Sequence, residues 1–172
     1  MNAHDRQTDL ISQLLHDHVP LSKALTELRG ILAETEGQAP SREAHAKFAA
    51  GVRRMRDDLI EHFAKEEEGL FPFLIDALPA MQRDIAALAA AHDGICGAVV
   101  RLAALSERDT AAFGKAVAQV RALFARFEMA YAEHSKAEQA VLSKVAQGLS
   151  EAQRRLVAAL ARDLLSELLA HL

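Results

Sequence analysis

Two short stretches of the 172-residue chain pair a histidine with a glutamate four residues on: His62 with Glu66 in HFAKEEEGLFPFL, and His134 with Glu138 in EHSKAEQAVL. On a helix, positions i and i+4 lie one turn apart on the same face. An imidazole nitrogen and a carboxylate oxygen so placed can grip one metal ion from a single helix. Imidazole with carboxylate suits iron, manganese or zinc rather than calcium or magnesium. One such pair is a weak signal, because surface helices carry many polar pairs. Two pairs joined by further histidines in register are a stronger one.

The further histidines emerge when the first and third helical stretches are compared. Apolar residues flank His92 at −7, −4, +3, +7 and +10: Ile85, Leu88, Ile95, Val99 and Leu102. The same offsets from His18 give Ile11, Leu14, Leu21, Leu25 and Leu28. From His16 they give Asp9, Ser12, Val19, Lys23 and Thr26, a mostly polar face, so His18 is the inward histidine of the HDH triplet. The shift from His18 to His92 is 74 residues, and that from His62 to His134 is 72. Each half therefore reads as a helix with one inward histidine followed by a helix with HxxxE.

Folding the halves together brings His18, His62, Glu66, His92, His134 and Glu138 around one interior. Two buried carboxylates without a counter-charge would be costly, and a metal supplies that charge. Two six-coordinate ions need about twelve bonds. Four imidazoles and two bridging carboxylates provide about eight, and an oxo or hydroxo bridge about two more. The remaining positions are open to water, O2, peroxide or nitric oxide.

The elements that must position these residues are helices. Alanine and leucine dominate, and glycine (8) and proline (4) are sparse, which favours an all-α chain. The spacing predicts a helix over Thr8 to Glu36, kinked at Pro20 and stopped by GQAP. A second helix starts at a Ser41 N-cap and runs through His62 to about Gly69, with a break or bent turn at Pro72. Pro79 opens a third helix reaching Leu105, SERDT is a loop, and a fourth helix covers Ala111 to Val145. Gly148 ends it, and Ser150 with Gln153 forms a capping-box pattern for a leucine-rich fifth helix. Short connections imply an up-down-up-down four-helix bundle with this additional C-terminal helix. The reading is one domain over 1–172, with the bundle at about 8–147 and the last helix at about 150–171. That helix either packs on its own bundle or joins a second copy as a homodimer.

Composition excludes other classes. A net charge of −4 with no basic run argues against nucleic acid. One cysteine, Cys96, permits no internal disulfide and fits a reducing compartment. The polar start MNAHDRQTDL lacks the apolar core of a signal peptide, and no uninterrupted apolar run approaches about 18 residues. The expectation is a cytoplasmic protein without a membrane partner.

With His18, HFAKEEEGLFP (His62 to Pro72), His92 and HSKAE (His134 to Glu138), the sequence resembles the hemerythrin-like, or HHE cation-binding, family over about residues 8 to 147. The resemblance implies a four-helix bundle holding a non-haem di-iron centre, with the six residues above as ligands. It departs from the animal oxygen carriers at two places. Their third helix has HxxxH, where this chain has His92 and Cys96, and their last carboxylate stands at +5, where this chain has Gln139. The six-ligand pattern is closer to bacterial hemerythrin-like proteins, whose implied roles include sensing of or defence against oxygen, peroxide or nitric oxide. Others repair iron–sulfur clusters, but carry an N-terminal cysteine-containing domain absent here.

Around the six, Ser22, Asp58, Cys96 and Tyr131 each lie one turn from a proposed ligand. Asp58 is either a partner orienting an imidazole or a solvated edge residue. Tyr131 is either a hydrogen-bond donor to a bound oxygen ligand or a core aromatic. Cys96 is either redox-active or a small core residue. Glu61 and Glu133 lie about 100° off the face and should be solvated. Glu67 competes with Glu66, but Gln139 at the equivalent place favours the +4 carboxylates. His4, His45 and His171 fall outside the pattern. No general acid, general base, nucleophile or substrate pocket can be named. The resulting expectation is a di-iron protein, with zinc or manganese as alternatives, that senses, scavenges or stores a small diatomic or peroxide ligand. The competing readings are a metal-free structural or interaction bundle and a di-iron protein aiding iron–sulfur repair.

Overall fold

The computed structural model describes residues 9–153 and 155, with side chains from Pro20 onward except Ala146. Five α-helices account for most of it, and there is no strand among the described residues. α1 spans Asp9–Glu34, α2 Arg42–Lys65, α3 Phe71–Ala77, α4 Gln82–Ser106 and α5 Thr110–Gly148. α1 packs on α2 and α5, and α4 packs on α2 and α5, so the four long helices form a bundle.

Their ends are set by local chemistry. α1 runs on through Pro20 and closes in a turn where Gly37 takes φ +74°, the left-handed conformation that glycine tolerates. The Ser41 hydroxyl caps α2 by accepting from the Ala44 N–H at 3.0 Å. Asp109 caps α5 in the same way, accepting from Ala112 at 2.9 Å. Beyond α5, Ser150 and Gln153 exchange the reciprocal bonds of a capping box. The leucine-rich segment after Arg155, and with it any C-terminal helix or homodimer contact, lies outside the described residues.

α2 does not run to Gly69. It gives way after Lys65 to a π turn over Glu66–Leu70, in which the Phe71 N–H bonds to the Glu66 carbonyl five residues back. Pro72 accounts for the widening. It has no N–H for an α ladder, and its ring clashes with the carbonyl four residues earlier. Proline then sits in the first turn of α3, where it is tolerated. Pro79 likewise opens a short 3-10 turn, Pro79–Met81, ahead of α4.

The stretch Pro79–Ser106 has the length and hydropathy of a membrane span, as core helices also can. Its buried stripe is Ile85, Leu88, His92, Ile95, Val99 and Leu102. The apolar interior is in two parts. The larger joins Leu21, Leu25, Phe48, Leu59, Phe63, Ile95, Val99, Phe127 and Tyr131 with their neighbours. The smaller joins Leu70, Phe71, Leu74, Ile85, Leu88, Val141, Leu142, Val145 and Leu149. Along α4 the boundary falls at His92, and along α5 at His134 and Glu138.

Two polar contacts clamp the bundle away from that boundary. His45 continues the α2 stripe of Phe48, Val52, Met55, Leu59 and His62, and is buried. Its Nε2–H donates to the Ser106 carbonyl at 2.8 Å, and Nδ1 accepts from the Thr110 hydroxyl at 3.1 Å. Its ring stacks on Phe113. Arg121 of α5 donates to the Leu32 carbonyl at 2.8 Å and the Thr35 hydroxyl at 2.9 Å, satisfying the exposed end of α1.

Candidate metal centre

The layer between the two apolar cores is polar and buried. His62, Glu66, His92, His134 and Glu138 are each between 0% and 4% exposed. α2 contributes His62, its following π turn Glu66, α4 His92, and α5 both His134 and Glu138. The i, i+4 spacing works as the sequence requires. The Glu66 N–H still bonds back to His62, so the pair shares one helical face before the ladder widens.

The ligand atoms converge. His62 Nε2 lies 3.7 Å from Glu66 Oε1, His92 Nε2 3.3 Å from Glu66 Oε2, and His134 Nε2 3.5 Å from Glu138 Oε2. These separations exceed those of a well-formed N–H···O bond, roughly 2.7–3.2 Å. They are close to what two ligands of one ion show when each bond is roughly 2.1 Å and the angle near a right angle or wider. Two triads of donor atoms lie within 4.8 Å of one another: Glu66 with His92 and His134, and His62 with Glu66 and Glu138. Glu66 belongs to both. The donor set of imidazole and carboxylate, buried and convergent, fits a metal cation. Five of the six sequence-derived residues are thus brought together. His18 lies on α1, but its side chain is outside the described residues.

Aromatic rings and one further carboxylate fix the orientation of His92. Phe63 stacks on it with centroids 3.7 Å apart, and Phe71 stacks at 5.8 Å. His134 meets it edge-on at 4.7 Å. The His92 Nδ1–H donates to Glu67 Oε1 at 2.6 Å. Burial holds the His92 imidazole below its usual pKa, and the Glu67 hydrogen bond works the other way. From sequence, Glu67 is only an alternative to Glu66; the structure keeps Glu66 in the layer and gives Glu67 to the outer nitrogen of His92.

The remaining neighbours sort clearly. Ser22, Glu61 and Glu133 are exposed. Asp58 is exposed at the rim of a cleft of about 220 Å³ that it shares with Pro20, Leu21, His62 and Lys65. Desolvation there, with Glu61 nearby, raises its carboxyl above the usual range. Tyr131 is buried and stacks on Phe127. Cys96 is partly buried against the larger core, and burial, with Glu67 and Asp93 adding to it, raises its thiol pKa. On the other side, a groove of about 570 Å³ between α4 and α5 is walled by small residues such as Ala91, Gly94, Ala130 and Ala137, with His134 among its lining.

A family model for the hemerythrin HHE cation binding domain matches residues 9–146. No curated protein and no solved structure matches the chain.

Proposed function

From the premise that the chain belongs to the hemerythrin HHE cation-binding domain family, we propose that it is a non-haem di-iron protein that binds or reacts with O2, peroxide or nitric oxide. The observation that carries this reading is the double membership of Glu66, common to two triads of buried donor atoms. A carboxylate with one oxygen toward each triad could hold two ions at once. Its Oε1 faces His62 and its Oε2 faces His92.

Histidine nitrogens with carboxylate oxygens favour iron over magnesium or calcium, and a site of this kind accommodates manganese or zinc as well. Such a pair of irons supplies redox chemistry and open positions for a small oxygen- or nitrogen-containing ligand. The protein residues bind and orient the ions, and the two apolar cores exclude bulk water from the layer between them. Nearly complete burial restricts the ligand to something very small. The Ala- and Gly-walled groove leading to His134 is a suitable approach.

Purification without added metal or chelator, followed by metal analysis and an absorption spectrum, tests the reading. About two irons per chain, with near-ultraviolet bands of an oxo-bridged ferric pair that change on adding peroxide or nitric oxide, are the expected result. A chain that holds no metal and takes up none from anaerobic ferrous iron would overturn it.

A further inference from the structure

Glu66 and Glu67 are consecutive, yet both face the same imidazole. Glu66 Oε2 lies 3.3 Å from His92 Nε2, and Glu67 Oε1 lies 2.6 Å from His92 Nδ1. Neighbouring side chains on a helix diverge by about 100°, so the two carboxylates reach the ring at different edges, one at each nitrogen.

We propose that Glu67 is the positioning residue for His92. The proposal rests on the metal-centre reading above for its consequence, but not for its geometry. Phe63 and Phe71 stack on the ring and fix its plane. Stacking leaves the ring able to flip by half a turn about its Cβ–Cγ bond, and it does not decide which nitrogen carries the proton. The Glu67 carboxylate settles both. It accepts the Nδ1 proton, so Nε2 keeps its lone pair and points toward Glu66 and His134. A carboxylate on the outer nitrogen of a ligating histidine also makes the inner nitrogen a stronger donor. Glu67 itself is 46% exposed and holds the ring from the solvent side, outside the buried layer.

The test uses the full chain with nitrogen-labelled histidine, stripped with chelator, and compares it with Glu67→Ala and Glu67→Gln. In the stripped wild type, ring nitrogen spectra should place the His92 proton on Nδ1. That signal should be lost or exchange rapidly in Glu67→Ala, and return in Glu67→Gln, whose amide oxygen can still accept. Anaerobic titration with ferrous iron should then show affinity about 10- to 100-fold weaker in Glu67→Ala, with Glu67→Gln restoring most of it. A His92 proton on Nε2 in the wild type, or an unchanged His92 signal and iron affinity in Glu67→Ala, would overturn the proposal. The nitrogen spectra need no metal. A chain that binds no iron while those spectra behave as expected would defeat the di-iron reading and leave Glu67 in its place.

Discussion

The ring of Phe63 lies flat against that of His92, with centroids 3.7 Å apart and planes 7° from parallel. Phe63 follows His62 in sequence but serves a histidine on another helix, and it is buried in the larger core. Stacked pairs contribute roughly 0.5–1.5 kcal/mol beyond area burial. Phe63→Leu keeps most of the volume and should cost about 1–2 kcal/mol in the chelated protein. Phe63→Ala should cost about 3–5 kcal/mol. Urea unfolding of metal-free protein reads both, and equal losses for the two variants would show that the ring contact, not the filled volume, is what matters.

Metal should stabilise the fold, because the ions bind the folded chain and not the unfolded one. At a free concentration a thousand times the dissociation constant the gain is about 4 kcal/mol per site. Wild-type protein should therefore melt at a lower temperature after chelation. Glu66→Gln should close most of that gap, since Glu66 belongs to both triads. Glu138→Gln, which touches one of them, should close less. Differential scanning calorimetry with and without chelator makes the comparison, and identical melting of loaded and stripped wild type would contradict it.

His45 is about 25 Å along α2 from His62 at 1.5 Å per residue. Replacing it with leucine leaves the buried Ser106 carbonyl without its donor. The expected loss is about 1–3 kcal/mol of stability with metal content unchanged. Loss of metal in a variant that still folds would show the two ends of the bundle to be coupled.

The Cys96 thiol is raised by burial and by the charges of Glu67 and Asp93. A raised pKa means less thiolate near neutrality, and thiolate is the reactive form. Alkylation by iodoacetamide at pH 7.5 should be slower than for a free thiol, and should climb only at higher pH. Rapid labelling at neutral pH would revive a redox role for this residue.

Much of this site could be read from spacing alone. The HxxxE pairs needed only the helical repeat, and His92 stood out because its flanking apolar residues match those of His18. The role of Glu67 was not legible, because its partner His92 lies 25 residues on, on another helix, and helical phase on α2 cannot name it. His45 is a different case. It falls outside the histidine pattern read from the sequence, although its spacing to Phe48 and His62 puts it on the same buried stripe, and its Ser106 and Thr110 partners are more than 60 residues away in the chain. Periodicity tells which side chains turn inward and not whom they meet.

The division of the apolar interior at His92, His134 and Glu138 bears on how an ion would get in. The five described ligand residues are only 0–4% exposed, so a hydrated ion, larger than the small ligands the α4–α5 groove would admit, should load when part of the protein opens. The smaller core, built on α3 and the adjoining ends of α4 and α5, has fewer apolar contacts to break and is separated from the larger by polar groups. It should open as its own cooperative unit. Native-state hydrogen exchange of the stripped protein should show amides of α3 and of Val141 to Val145 exchanging at a lower free energy than those of Phe48 to Leu59, and the difference should shrink when metal is bound. If so, the bundle carries its door within its own stability profile, and the bound cation is what bolts it. Uniform exchange across both cores would mean that metal enters by global unfolding instead.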